Sequence, residues 1–391
     1  MTGRHYDTVI IGAGVIGLAI AWRAAQRGLT AAIADPQPGS GASHAAAGML
    51  APVSEAWYGE EELLDLGLAA RERYPSFTAE LTELTGAPTG FRHTGTLQVA
   101  YDADDLAMLD RVHELHARLG LDARRVTARE ARSIEPMLAP AIRGGVHVPG
   151  DGSVDPRLLT AALLRAVTQA GGTLFRERVS EVTVAGGRAD GVALADGTRL
   201  AAGAVVLSSG WQSGGIAGVP PEALPPVRPV KGQILRLHSP QPFLRCSVRG
   251  IVRGSSVYLV PRESGELVVG ATQEELGDKR VTAGGVWELL RDARELVPGI
   301  TELELAEATA GLRPGTPDNA PVLGPCALPG LVLATGHFRS GILLAPVTAD
   351  LVAEYLDTKR LPRGATRFAL ARFAPATQGQ PAERSFHGAP S

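Results

Sequence analysis

Cysteine is nearly absent from this chain: two in 391 residues, Cys246 and Cys326, far apart and in no Cys-x-x-Cys pair. That excludes a disulfide framework and a cysteine zinc site, and it fits a reducing cytoplasmic setting. The histidines show no His-Glu-x-x-His spacing, so no metal centre is expected. Charge of one sign is also lacking. The formal net charge is −3, with no basic cluster to hold nucleic acid and no acidic block. Long apolar runs are missing too: none reaches the roughly 20 residues of a membrane-spanning helix, so no membrane partner is expected. Val9–Ala21 is largely apolar, but Asp7 stands where a signal peptide is positive and three glycines interrupt the run, so it does not read as a leader.

What is present is an ordinary globular composition, 45 % hydrophobic and 20 % charged. A chain of 391 residues exceeds what one core usually serves, so two domains are expected. Thr8–Ile11 reads as a buried strand, Val15–Arg27 as a helix closed by Gly28, and Thr30–Ala34 as a second strand followed by Asp35. Residues 36–50 form a small-residue loop leading into a helix. Glu61–Leu84 is helical with an interruption at Pro75, Thr94–Ala100 is a strand, and Ala103–Leu119 and Thr127–Met137 are helices.

Asp155-Pro156 is an N-cap followed by proline at the first helical position, starting a helix to about Ala170. Strands follow at Thr173–Phe175 and Glu181–Val184. Val192–Leu194 and Thr198–Leu200 flank the hairpin dipeptide Asp196-Gly197, and Ala204–Leu207 is another strand. From Val227 to about Ala308 strands dominate (Gly232–Leu237, Ser256–Val260, Leu267–Gly270), broken by a helix at Val286–Leu296. A strand at Leu331–Ala334, a loop at Thr335–Gly341 and a helix to about Tyr355 close the ordered pattern. The expectation is an α/β fold. A discontinuous Rossmann-type dinucleotide domain (1–85, 147–225 and 310–372) carries an inserted α+β substrate domain on an antiparallel sheet (86–146 and 226–309). Residues 373–391, rich in Pro, Gly, Gln and Ser, read as a disordered tail.

The chemistry-bearing motifs start with Gly12-Ala13-Gly14-Val15-Ile16-Gly17. Gly12 permits the tight turn, Gly14 a close approach to a pyrophosphate, and Gly17 close helix–strand packing, while the helix N-terminus favours phosphate. Asp35, 18 residues past Gly17, is placed to accept from a ribose diol. NAD and FAD share this fingerprint. Two later features discriminate. The small-residue run Ser43–Met49 can lie flat on a large ring. Gly336–Leu343 sits between a buried strand and an apolar helix, aiming a second helix N-terminus at the negative edge of a reduced flavin. Gly311-Leu312-Arg313-Pro314, taken with Arg339 and Tyr258, makes a candidate carboxylate clamp: guanidinium fits carboxylate bidentately and a phenol adds a third hydrogen bond.

In order along the chain, the Gly12 fingerprint, Ala45–Leu50, Tyr258-Leu259-Val260-Pro261-Arg262, Gly270-Ala271-Thr272, Gly311–Thr316 and Gly336–Leu344 resemble the D-amino-acid-oxidase-type flavoproteins, and among them the glycine oxidases of thiamine biosynthesis. The resemblance spans roughly residues 5–372. It implies that Val15, Ile16 and Asp35 hold the ADP half of FAD, and that Ser43, His44, Ala47, Gly48 and Met49 line the pyrophosphate and flavin. Val179 serves the adenine side, and His337, Phe338, Arg339, Ser340, Gly341, Ile342 and Leu343 wrap the ring. Arg313 takes the substrate carboxylate, with Arg339 and Tyr258 beside it. It further implies glycine, sarcosine or a small D-amino acid as substrate, dioxygen as acceptor, and a homo-oligomer, dimer or tetramer. Gln273 replaces a family Met and Ser256 a family His, which leaves the side-chain preference open. Cys326 lacks the context of flavin-attaching cysteines, so FAD is expected to be noncovalent. Two rival readings stay open at this point: a dehydrogenase of D-amino acids, sarcosine or proline with another electron acceptor, and a noncatalytic FAD-binding subunit.

Overall fold

The computed structural model describes residues 5–374. Two eight-stranded sheets organise them. In the first, the order is Val322–Pro325, Leu331–Thr335, Arg199–Leu207, His5–Ile11, Ala31–Ala34, Thr173–Phe175, with the hairpin strands Val179–Ala185 and Arg188–Leu194 branching from Arg199–Leu207. His5–Ile11 pairs in parallel with Arg199–Leu207 and with Ala31–Ala34, and Leu331–Thr335 continues the parallel run. These strands are near-continuous apolar runs because both faces are covered. Ile10, Ile33, Val206 and Val332 pack under the helices Val15–Gln26, Pro156–Gln169 and Gly341–Thr358. Val9, Ile11, Ala32 and Val205 pack against the branching hairpin.

The second sheet runs Glu304–Gly315, Arg228–His238, Glu266–Gly270, Ser255–Pro261, Ser247–Val252, Thr96–Ala100, Gly144–Val148, Arg124–Thr127. It is antiparallel except where Thr96–Ala100 meets Ser247–Val252 in parallel. Helix Ala283–Leu296 lays Leu289, Ala293 and Leu296 on it. The mixed α/β architecture expected from the sequence is the one observed.

Several local expectations need correction. Glu61–Thr85 is one helix through Pro75, because Tyr74, Phe77 and Leu81 are buried along one face and hold both halves in place. The small-residue segment 36–50 itself contains a one-turn helix, Ala42–Ala45, and the short strand Met49–Leu50. The two expected strands Thr198–Leu200 and Ala204–Leu207 are parts of one strand, Arg199–Leu207, which leaves out Thr198; its first half pairs with the hairpin and its second half joins the parallel core. Of the expected tail, Phe373 closes a 3-10 turn begun at Leu370, and residues beyond 374 lie outside the described range.

Helix Gly341–Thr358 contains Pro346, which has no N–H for the carbonyl of Ile342 one turn back. The buried Tyr74 hydroxyl donates to that carbonyl instead, joining the long helix to the first turn of this one. Tyr74→Phe leaves the carbonyl orphaned and is expected to cost about 1–3 kcal/mol, read as a lower denaturation midpoint at unchanged slope. An unchanged midpoint would show the carbonyl satisfied by other means.

Candidate active site

A cavity of about 1170 Å³ opens at the carboxyl ends of the parallel strands and extends to the second sheet. Typical small-molecule sites hold about 300–1,000 Å³, so there is room for a cofactor with a substrate beside it. Gly12 (φ +99°) turns the chain out of its strand, and a Cβ there would lie 2.7 Å from the Ser208 carbonyl oxygen. A Cβ on Gly17 would overlap the Gly12 carbonyl, so the glycine pair sets how closely helix Val15–Gln26 starts against the strand. Gly14 offers no side-chain cap, and the Ser43 hydroxyl accepts from the Val15 N–H at 3.1 Å. The Asp35 carboxylate accepts from Ala13 N–H at 2.7 Å and Gln37 N–H at 2.8 Å, tying the second strand's end to the glycine loop. Each of its oxygens keeps a second lone pair for a hydroxyl in the cavity.

The N-terminus of helix Gly341–Thr358 borders the same cavity through Gly341 and Ile342, again without a side-chain cap. Its approach loop is fixed by the Phe338 N–H, which donates to the Pro314 carbonyl at 3.0 Å. The His337 ring is turned into the helix, its Nε2 3.0 Å from Thr348 Oγ1. Burial pushes that imidazole down to about 3, so it is neutral at physiological pH and leaves the positive end of the helix as the local charge. No acceptor within the helix serves its first-turn N–H groups, a donor set suited to an anionic ring edge.

At the far end, Arg313 Nη1 donates to the Lys231 carbonyl at 3.3 Å and the Thr272 carbonyl at 3.1 Å. Its guanidinium lies flat over Gly232, where any Cβ would overlap it. Burial raises the Tyr258 phenol against the opposing pull of the Arg313 guanidinium, so the phenol keeps its proton and can donate it to a carboxylate. Arg339 sits at the rim with Nη2 3.0 Å from Glu60. Val179, Ala47, Gly48 and Met49 line the wall, as do the departing residues Ser256 and Gln273. Gly17, His44, Ser340 and Leu343 do not border the cavity.

The sequence reading missed a charged pair on the substrate side. Glu55 and Arg249 form an ion pair that lines the cavity, and both act electrostatically on Tyr258. The turn carrying Glu55 is held from below: the buried Asp151 accepts from Ser54 N–H at 3.3 Å, and Gln98 donates to the Ser54 carbonyl at 2.9 Å. No local sequence pattern marks these partners. Neither cysteine borders the cavity, and no cluster of metal ligands occurs among the described residues.

Two helix N-termini, an acid at the second strand's end and an arginine opposite them border one cavity, the arrangement of a dinucleotide-dependent oxidoreductase. Residues 7–355 match the DAO family, described as FAD dependent oxidoreductase, and the chain belongs to that family. It is 36 % identical to the glycine oxidase of Geobacillus kaustophilus over 95 % of this chain and 98 % of that protein. Its structure superposes on the crystal structure of glycine oxidase from the same organism with a TM-score of 0.86, covering 94 % of this chain and 99 % of that one. The bifunctional protein ThiO/ThiG of Synechocystis sp. is 36 % identical over 91 % of this chain and 52 % of its own length. Iminodiacetate oxidase from Chelativorans sp. BNC1 superposes with a TM-score of 0.82 at 28 % identity, covering 93 % of this chain and 98 % of that one. The flavoprotein resemblance noted in the sequence is borne out, and FAD is the cofactor. Among the described residues no helix is long and apolar enough to cross a membrane.

Gly232→Ala is expected to fold normally, since the added methyl meets the mobile end of a side chain, and to displace Arg313. Steady-state kinetics should show KM for the amino-acid substrate rising about tenfold or more. A parent KM would detach Arg313 from carboxylate binding.

Proposed function

We propose that the protein oxidises glycine, with sarcosine and small D-amino acids as further substrates, to the imine. The observation that carries this reading is Arg313 lying on Gly232 beside a protonated Tyr258, across one cavity from the uncapped helix at Gly341. The likeness to glycine oxidases supports it.

Arg313 and Tyr258 bind the carboxylate and orient the α-carbon. Glu55 and Arg249 border the same end of the cavity as a pair of compensated charge. When bound, FAD would supply a two-electron oxidant for the α-carbon, with dioxygen as the final acceptor. Glycine and dioxygen thus give the imine and hydrogen peroxide, and water converts the imine to glyoxylate and ammonia. The imine would also serve thiazole assembly in thiamine biosynthesis, a role in keeping with the ThiO/ThiG likeness. Gly12, Gly14, Val15, Ile16, Asp35, Ser43, Ala47, Gly48, Met49, Val179, His337, Phe338, Arg339, Gly341 and Ile342 line the cavity and would hold FAD, without a bond to cysteine since neither thiol lies there. In this reading the first sheet and its helices are the FAD-binding unit and the second sheet the substrate unit. The two unpaired thiols suit a cytoplasmic protein.

Anaerobic addition of glycine to the yellow holoenzyme should bleach the flavin, and air should restore it with one peroxide per turnover. Arg313→Ala should lower kcat/KM by about 2–5 kcal/mol. Absence of bleaching with glycine, sarcosine and every D-amino acid tried would refute the reading. Bleaching with dye reduction but no peroxide would move it to a dehydrogenase.

A further inference from the structure

Two arginines are buried where the described mechanism makes no use of them. Arg262 and Arg236 are almost fully enclosed, yet neither borders the cavity. Arg262 follows the strand Ser255–Pro261, and its Nη2 donates to the main-chain carbonyl of Ala47. Its Nε and Nη1 have no hydrogen-bond partner, and the nearest carboxylates, Asp155 and Glu266, are each 3.9 Å from Nε. Arg236 gives Nη1 to Glu266 at 2.5 Å and Nη2 to the His44 carbonyl at 3.3 Å. Arg157, itself paired with Glu307, donates to the same His44 carbonyl at 3.2 Å. Three guanidiniums thus hold two carbonyls of one short loop.

Burying an incompletely paired guanidinium is costly, and an apolar side chain would fill the space more cheaply. Burial drives Arg262 down to about 10, a sign of how poorly the charge is compensated. The arrangement gains the orientation of a peptide. In a planar trans peptide the N–H points opposite to the C=O. With the Ala47 carbonyl drawn toward Arg262, on the side away from the cavity, the Gly48 N–H faces the cavity that Ala47 and Gly48 line. That N–H has no acceptor among the described residues. Val154 fixes the next peptide by donating to the Gly48 carbonyl at 2.8 Å. Ala47 belongs to the apolar cluster that includes Met49 and Tyr258, so this donor lies at the substrate end of the cavity rather than the glycine-loop end.

We propose that Arg262 is a positioning residue for the flavin: by holding the Ala47 carbonyl it aims the Gly48 N–H at the cofactor ring, and so contributes to FAD affinity and to the flavin's reduction potential. Arg236 and Arg157 support it by fixing His44 at the loop's start. The inference rests on FAD occupying this cavity and is independent of which amino acid is oxidised.

The test uses Arg262→Met and Arg262→Lys, with FAD titrated into apoprotein prepared from the holoenzyme and the midpoint potential of the reconstituted flavin measured. Arg262→Met is expected to raise the Kd for FAD about tenfold or more, the loss of one well-aimed donor, and to make the potential more negative, because extra electron density on the reduced ring loses a dipole. Arg262→Lys should move both quantities in the same direction by less, since an ammonium reaches a carbonyl but fixes its plane poorly. If Arg262→Met does not fold, Arg262→Lys carries the test. Parent Kd and parent potential in either folded variant overturn the proposal, as does a loss of thermal stability with the potential unmoved. Failure to turn over glycine, with the FAD effects present, would count against the substrate and leave this inference standing.

Discussion

Helices Val15–Gln26 and Gly341–Thr358 pack side by side on one face of the parallel sheet, and the site depends on both of them starting at the same edge. Each follows a parallel strand, so each N-terminus falls at the carboxyl end of the sheet, where open α/β folds bind ligands. Ala19, Ala345 and Ala349 are fully buried, and their small size suits the two axes lying close together. Two positive helix ends then face one cavity, and an anionic dinucleotide with a reducible ring is a ligand that uses both. Pro346 and Tyr74 belong to the same construction: the proline's missing donor draws the long helix Glu61–Thr85 onto the second helix's first turn.

The second sheet supplies what the first lacks. Arg313 comes from its edge strand and Tyr258 from its interior, and each lies over a glycine, the guanidinium over Gly232 and the phenol over Gly270. Joining the two sheets requires polar contacts across their boundary. Arg236 and Arg262, from the second sheet's side, provide them by donating to the carbonyls of His44 and Ala47, and Arg157 does so by pairing with Glu307.

Features written in local chemistry were legible. The Gly12–Gly17 turn, Asp35 at the second strand's end, the Asp155-Pro156 helix start and the Asp196-Gly197 hairpin all occur where sequence reasoning puts them. Ser247–Val252 was not legible, because Arg249 and Gly250 break its alternation and its partner Thr96–Ala100 lies far away in the chain. Glu304–Gly315 begins with Glu and Ala, good helix formers, yet it is a strand because Arg228–His238 pairs with it along its whole length. For the site, residue types with a known chemistry could be named in advance. Glu55, Arg249, Gly232 and Arg262 could not, since each acts through a contact between distant segments.

Both helix N-termini and the Ala47–Met49 loop border one cavity, and one FAD bound there would meet all three. Amide hydrogen exchange compared between apoprotein and FAD-reconstituted protein addresses it directly. Residues 12–17, 47–49 and 337–343 are predicted to gain protection together on FAD binding. Protection confined to residues 12–17, with the other two segments unchanged, would show that the second helix and the Ala47–Met49 loop do not meet the cofactor.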